Sequence, residues 1–136
     1  MNTDTQNKNL LYTYSTKKVL LVEDDTFISD MIVTKLNQTG FEVERTADGK
    51  SVMRALEETN PDILLLDLML PNKHGFEVLQ EIREVDAYKD LPVVILSNEN
   101  GSDVETKAKN LGAYYYFKAM TDISQLTVII NTALGE

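Results

Sequence analysis

Ile63-Leu64-Leu65-Leu66-Asp67-Leu68-Met69-Leu70-Pro71 is the stretch on which the reading of this chain turns. Four bulky apolar residues run directly into a carboxylate. A short unbroken apolar run bounded by a breaker is the pattern of a strand buried on both faces. Pro71 closes the run, because it lacks a backbone N–H and cannot continue a ladder. Asp67 then lies near the carboxyl end of a central strand, at the edge where open α/β sheets bind ligands. Alone, Asp67 would fit a loop-capping carboxylate better. The strands around it change that reading.

Working outward, Lys18-Val19-Leu20-Leu21-Val22 is a second buried strand, ending in Glu23-Asp24-Asp25. A helix is predicted over about Thr26–Thr39, with Phe27, Ile28, Met31, Ile32 and Leu36 at helical spacing, stopped by Gly40. Phe41 to Thr46 alternates as a strand, and Val52, Met53 and Leu56 mark a helix ending before Asn60-Pro61. Downstream of Gly75, Phe76, Val78, Leu79 and Ile82 mark a third helix to about Val85. Val93–Ser97 is a fourth buried strand. A weakly apolar helix follows over Asp103–Leu111, then a strand at Tyr114–Phe117, and a last helix over Ser124–Leu134. Strands alternating with helices predict an α/β fold, a parallel sheet covered on both faces by right-handed crossovers.

Composition narrows the function. The 136 residues fit one domain. There is no cysteine, so disulfides, thiolate catalysis and cysteine-based zinc sites are out, and a single histidine, His74, excludes a multi-histidine metal site. A net charge of -9 argues against direct nucleic-acid binding, which needs clustered Lys and Arg. No apolar run approaches the roughly 20 residues of a membrane span, and no signal peptide opens the chain, so a cytoplasmic location is expected. Residues 1–16 are polar and without periodicity, which predicts a disordered tail before a domain over 17–136.

Parallel strands place their carboxyl ends at one edge. That edge gathers Asp24 and Asp25 from the first strand, Asp67 from the third, Ser97 from the fourth and Lys118 from the fifth. Clustered carboxylates raise one another's pKa unless a cation neutralises them, and oxygen-seeking Mg²⁺ is the natural candidate. A carboxylate is also a possible nucleophile toward phosphorus, and phosphoryl transfer needs positive charge and donors around the phosphoryl oxygens. Each residue has an innocent reading: Asp25 as a helix N-cap, Ser97 as a turn former, Lys118 as a solvated cation. Five coincidences at corresponding strand ends favour a site.

These residues resemble the receiver domain of bacterial response regulators, over about Lys17 to Leu134. The match rests on Asp24-Asp25, Asp67, Ser97 and Lys118, with Pro71 and Gly75 at the family's offsets after Asp67. The resemblance implies a flavodoxin-like, three-layer α/β/α fold of strand order 2-1-3-4-5 with five helices. It implies a phosphoacceptor at Asp67, served by a sensor histidine kinase or histidine phosphotransfer protein and read by a downstream effector, with at most slow self-dephosphorylation as enzymatic activity. It implies Mg²⁺ held by Asp25, Asp67 and the Met69 backbone carbonyl, with Asp24 acting through water. Ser97 and Lys118 would contact the phosphoryl group, and Tyr115 would be the switch aromatic that moves with Ser97.

The chain departs from the family in three places. Gly112 to Lys118 is one residue shorter than usual, which brings Tyr116 forward as the rival switch residue. Asn98 stands where a very small residue is usual. Ala119 replaces the usual proline after Lys118, so the Lys118–Ala119 bond is expected to be trans. A flavodoxin would need a hydroxyl- and glycine-rich phosphate loop where Glu23-Asp24-Asp25 stands. An aspartate-nucleophile phosphatase would carry an acid where Met69 stands. The other readings are a receiver fragment of a larger regulator or hybrid kinase, and a phosphorylation-independent protein-binding module. The last helix lacks Lys and Arg, so a monomer is expected before phosphorylation.

Overall fold

The computed structural model describes residues 16–118 and 122–136. Five strands form one parallel sheet in the order β2-β1-β3-β4-β5: β1 Lys18–Val22, β2 Glu42–Thr46, β3 Ile63–Asp67, β4 Val93–Ser97 and β5 Tyr114–Phe117. The five α-helices among the described residues are α1 Thr26–Gln38, α2 Val52–Thr59, α3 Gly75–Arg83, α4 Ser102–Asn110 and α5 Ser124–Ala133. This is the flavodoxin-like α/β/α arrangement expected from the alternation and the resemblance. Residues 1–15, and with them most of the expected tail, lie outside the described residues, as does the Lys118–Ala119 bond.

Period-two alternation along the strands sorts the core into two layers. Leu20, Val22, Leu64, Leu66, Val93 and Ile95 face α2, α3 and α4, where they meet Leu56, Leu79 and Ile82. Val19, Leu21, Ile63, Leu65, Val94 and Leu96 face α1 and α5, where they meet Ile32, Leu36, Leu126 and Ile130. All five residues of β3 are buried, Asp67 included, as a central parallel strand requires. The helix α4 buries only Ala108 fully, in keeping with its weak apolar pattern.

Two short 3₁₀ turns, Gly49–Ser51 and Asp86–Tyr88, lie just before α2 and after α3. Arg83, at the end of α3, ties the neighbouring loops together. Its guanidinium donates to the carbonyls of Leu111, Tyr88, Leu91 and Gly112 at 2.8–3.1 Å. Burial lowers its pKa, with the charge of Asp90 working in the opposite direction.

The start of α3 is fixed by a close approach. Gly75 donates its N–H to the Leu68 carbonyl at 2.7 Å. A Cβ on Gly75 would lie 2.6 Å from the Asp67 carbonyl oxygen and 2.8 Å from the Leu68 Cα. Both contacts are backbone, so no side chain is able to yield. His74 caps the helix through Nδ1, which accepts from the Phe76 N–H at 3.2 Å, and Glu77 accepts from the His74 N–H. Gly75→Ala should therefore cost about 1–3 kcal/mol, as overpacking of a close-packed contact does. Urea unfolding checks this, and a change under about 0.5 kcal/mol would show that the loop after β3 relaxes freely.

Candidate functional site

The register of the sheet explains which polar residues converge. Val22 of β1 pairs with Leu66 of β3, so the residues that follow, Glu23 and Asp67, come side by side. The alternation Val19, Leu21, Glu23 and the alternation Ile63, Leu65, Asp67 put both carboxylates on the α1/α5 side. Tyr116 belongs to the same layer, and two residues further on Lys118 joins them. Its ammonium donates to Glu23 Oε1 at 2.9 Å and to Asp67 Oδ1 at 3.0 Å. All three side chains are nearly out of solvent: Glu23 0%, Asp67 3% and Lys118 6% exposed.

Burial raises the Glu23 pKa to about 7, although hydrogen bonds from Lys118 and from the Asp25 N–H pull the other way. Burial also works against the charge on Lys118. The hydrogen bond to Glu23 and the charge of Asp67 outweigh it, leaving the lysine above its ordinary value. One ammonium thus faces two carboxylates, and the exposed Asp24 adds a third. Glu23, Asp24 and Asp67 each offer an oxygen, and these oxygens lie within 4.8 Å of one another. That hard, all-oxygen donor set fits Mg²⁺, which usually takes one or two carboxylates and completes its shell with water and phosphate oxygens.

The structure gives the three acids of Glu23-Asp24-Asp25 different surroundings. Asp25, expected to be a direct ligand, is the N-cap of α1: its Oδ1 accepts from the N–H groups of Phe27 at 2.9 Å and Ile28 at 3.1 Å. Those are two of the donors that a helix start leaves without intrahelical partners. The oxygens that converge are those of Asp24 and Asp67 together with Glu23, which the sequence did not single out and which is the buried acid of the Glu23-Asp24-Asp25 run. The signal for Glu23 was the alternation itself, continued one step beyond Val22. Met69, whose carbonyl was the third expected ligand, follows directly, with its N–H 3.4 Å from Asp67 Oδ1.

Ser97 is fully buried and lies on the opposite layer, following Val93 and Ile95. Its Oγ accepts from the Glu99 N–H at 2.9 Å. Tyr115 packs against that same layer, and its hydroxyl donates to the Glu99 carbonyl. Tyr116 is buried on the other side, among the α1 and α5 side chains. Of the two tyrosines, Tyr115 is therefore the one that shares a loop with Ser97. Asn98 is exposed.

The family model for the response regulator receiver domain matches residues 19–131. The transcriptional regulatory protein QseB of Haemophilus influenzae is 38% identical over 99 residues, which cover 73% of this chain and 44% of that protein. The BeF3-activated N-terminal receiver domain of Klebsiella pneumoniae RstA superposes with a TM-score of 0.79 at 25% identity, covering 88% of this chain and 99% of that one. The chemotaxis protein CheY4 of Vibrio cholerae gives a TM-score of 0.79 at 26% identity, covering 87% and 98%. The chain spans about half or less of the length of the curated relatives it matches. Among the described residues, no helix is long and apolar enough to cross a membrane.

Proposed function

The chain belongs to the response regulator receiver domain family, and from that membership we propose that it accepts a phosphoryl group on Asp67 in an Mg²⁺-dependent step of a two-component phosphorelay. The observation that carries this reading is the buried Asp67, hydrogen-bonded by the Lys118 ammonium and grouped with Glu23 and Asp24 within reach of one cation. The donor is a phosphohistidine on a sensor kinase or a histidine phosphotransfer protein.

A carboxylate oxygen of Asp67 attacks phosphorus, forming an O–P bond as the N–P bond to the donor imidazole breaks. The imidazole nitrogen keeps the electron pair. Lys118, held charged by two carboxylates, supplies donors to the phosphoryl oxygens. Glu23, Asp24 and Asp67 would hold Mg²⁺, which would supply positive charge against the carboxylates and the phosphoryl oxygens. Ser97 and Tyr115 both hold the backbone of Glu99. A Ser97 hydroxyl that turns to the phosphoryl group therefore gives up its hold on that loop and frees Tyr115 to follow. The moved surface would be read by a downstream effector.

The chain's share of its relatives' lengths also supports a role as the receiver portion of a longer regulator. We take the unphosphorylated receiver to be monomeric, since α5 has no Lys or Arg with which to build a charged self-interface. Acetyl phosphate with Mg²⁺ tests the proposal. A receiver gains a phosphoryl group that hydroxylamine removes, whereas a phosphatase turns over phosphomonoesters, and a phosphorylation-independent module gains nothing.

The metal assignment has its own test. A ligand that binds only the native state raises stability by RT ln(1 + [L]/Kd), about 2.7 kcal/mol at a hundredfold excess over Kd. Asp24→Ala is expected to abolish that Mg²⁺-dependent rise in melting temperature. Asp25→Ala should keep the rise while losing about 0.5–2 kcal/mol of cap energy with or without metal. The opposite result, with the response surviving in Asp24→Ala and vanishing in Asp25→Ala, would return Asp25 to the ligand set.

A further inference from the structure

The loop that follows Asp67 rests against the turn before α2. Gly49, at the start of that turn, is buried. A Cβ on Gly49 would come 2.9 Å from the Lys73 Cβ, 3.0 Å from the Lys73 carbonyl oxygen and 3.5 Å from Leu70 Cδ1. The first two are the root of a side chain and a main-chain oxygen, and neither swings away. Gly49 has no positive φ, so the contact, and not its own backbone conformation, calls for glycine. Beside it, one oxygen of Asp48 serves both segments. Asp48 Oδ1 accepts from the Lys50 N–H at 2.9 Å, capping the 3₁₀ turn, and from Asn72 Nδ2 at 3.3 Å. Asn72 follows Pro71 at φ +73°, a left-handed state that asparagine adopts more readily than most residues. Lys73 is held in turn by Glu81 of α3, at 2.6 Å.

We propose that Asp48 and Gly49 are positioning residues for the cation site: they set the loop that joins Asp67 to α3, and with it Met69. The inference rests on the reading of Glu23, Asp24 and Asp67 as an Mg²⁺ site. The loop is held at three places. Gly75 meets the Asp67 and Leu68 backbone, Leu70 packs on the core, and Asn72 and Lys73 meet Asp48 and Gly49. Met69 is 59% exposed, so it takes its place from these neighbours and not from packing of its own. Mg²⁺ demands near-ideal octahedral geometry at about 2.0–2.1 Å and tolerates little displacement of the backbone beside it. Groups that orient a metal's ligands typically carry about ten- to hundredfold of its affinity.

Calorimetric titration with Mg²⁺ reads the affinity, and amide exchange in EDTA reads the loop without metal. Gly49→Ala and Asp48→Ala are each expected to raise the Mg²⁺ Kd about tenfold. In EDTA, exchange at the Gly75 amide, whose bond to the Leu68 carbonyl closes the loop, should quicken about fivefold in both. Asp48→Asn keeps an acceptor oxygen and removes the charge, so its Kd should stay within about twofold of the parent's. Ile130→Val, a core truncation in the α1/α5 layer, lowers stability away from the loop and should leave the Kd unchanged. A parental Kd in Gly49→Ala and Asp48→Ala would overturn the proposal, as would unchanged Gly75 exchange. A loss in Asp48→Asn equal to that in Asp48→Ala would also overturn it, by making Asp48 a charge and not a clamp. A parent chain that takes up no Mg²⁺ would overturn the metal reading itself, and this proposal with it.

Discussion

Asp67→Asn is expected to lose the phosphoryl group entirely, with label from acetyl phosphate falling at least about a hundredfold, to background. The amide oxygen is neutral and a poor nucleophile, and the uncatalysed alternatives along the same edge do not substitute. Lys118 is an amine held protonated by two carboxylates, and Asp24 is exposed at the rim, outside the sheet register that aims Asp67. The fold should survive, because Lys118 keeps Glu23 as its partner at 2.9 Å and loses only one of two anions. Replacing a charge by its isosteric amide where like charges crowd relieves repulsion, so the variant should be as stable as the parent in the absence of metal. Phosphorylation followed by borohydride trapping and peptide mapping gives the answer. Label that maps to another residue in the unsubstituted chain, or label that persists in Asp67→Asn, would rule out Asp67 as the acceptor.

Much of this was legible in the residues, for reasons that differ from place to place. The strands β1, β3 and β4 announce themselves because a strand buried on both faces has to be apolar at every position, and Asp67 stands out against Leu64, Leu65 and Leu66. Parallel topology then carries Ser97 and Lys118 to the same edge without any need for side-chain detail. The acidic run was harder. Three successive acids, Glu23, Asp24 and Asp25, offer three possible frames, and only backbone geometry shows which one caps the helix. Thr26-Phe27-Ile28 follows Asp25 as a helix start follows a cap, and the cap engages one oxygen of the carboxylate expected to bind metal. Arg83 carried no signal at all. Its four carbonyl partners come from two loops brought together only by the packed fold, and loops that contribute carbonyls leave no trace in side-chain chemistry. Gly75 was placed by offset from Asp67, yet the physical reason for a glycine, a backbone carbonyl 2.6 Å from its missing Cβ, belongs to the folded chain.

Lys118→Met should be the most destabilising single change at the site. Methionine fills a similar volume, so the packing loss is small and the effect is electrostatic. Removing one partner of a buried ion pair typically costs about 3–5 kcal/mol, because the charge left behind has neither water nor a counterion. Here two carboxylates are left, Glu23 at 0% and Asp67 at 3% exposure. The pH dependence identifies the cause. In the parent, burial already holds Glu23 at about 7, against the lowering hydrogen bond from Lys118. Deleting the ammonium removes that opposition and moves Glu23 further up. A carboxyl with a folded pKa above its unfolded value adds stability that is present below the unfolded pKa and lost as pH rises through the folded one. The variant should therefore approach the parent near pH 4.5, the unperturbed value, and fall progressively behind as pH climbs through about 7. Denaturant unfolding in EDTA at about pH 5 and about pH 8 measures both ends of that window. A deficit that is the same at both pH values would point to lost packing, and a deficit under about 1 kcal/mol at the upper pH would mean that the carboxylates find solvent or each other's proton without the lysine. The expected result, a gap that opens with pH, would make Lys118 the residue that lets two acids share one buried corner before any metal or phosphoryl group arrives.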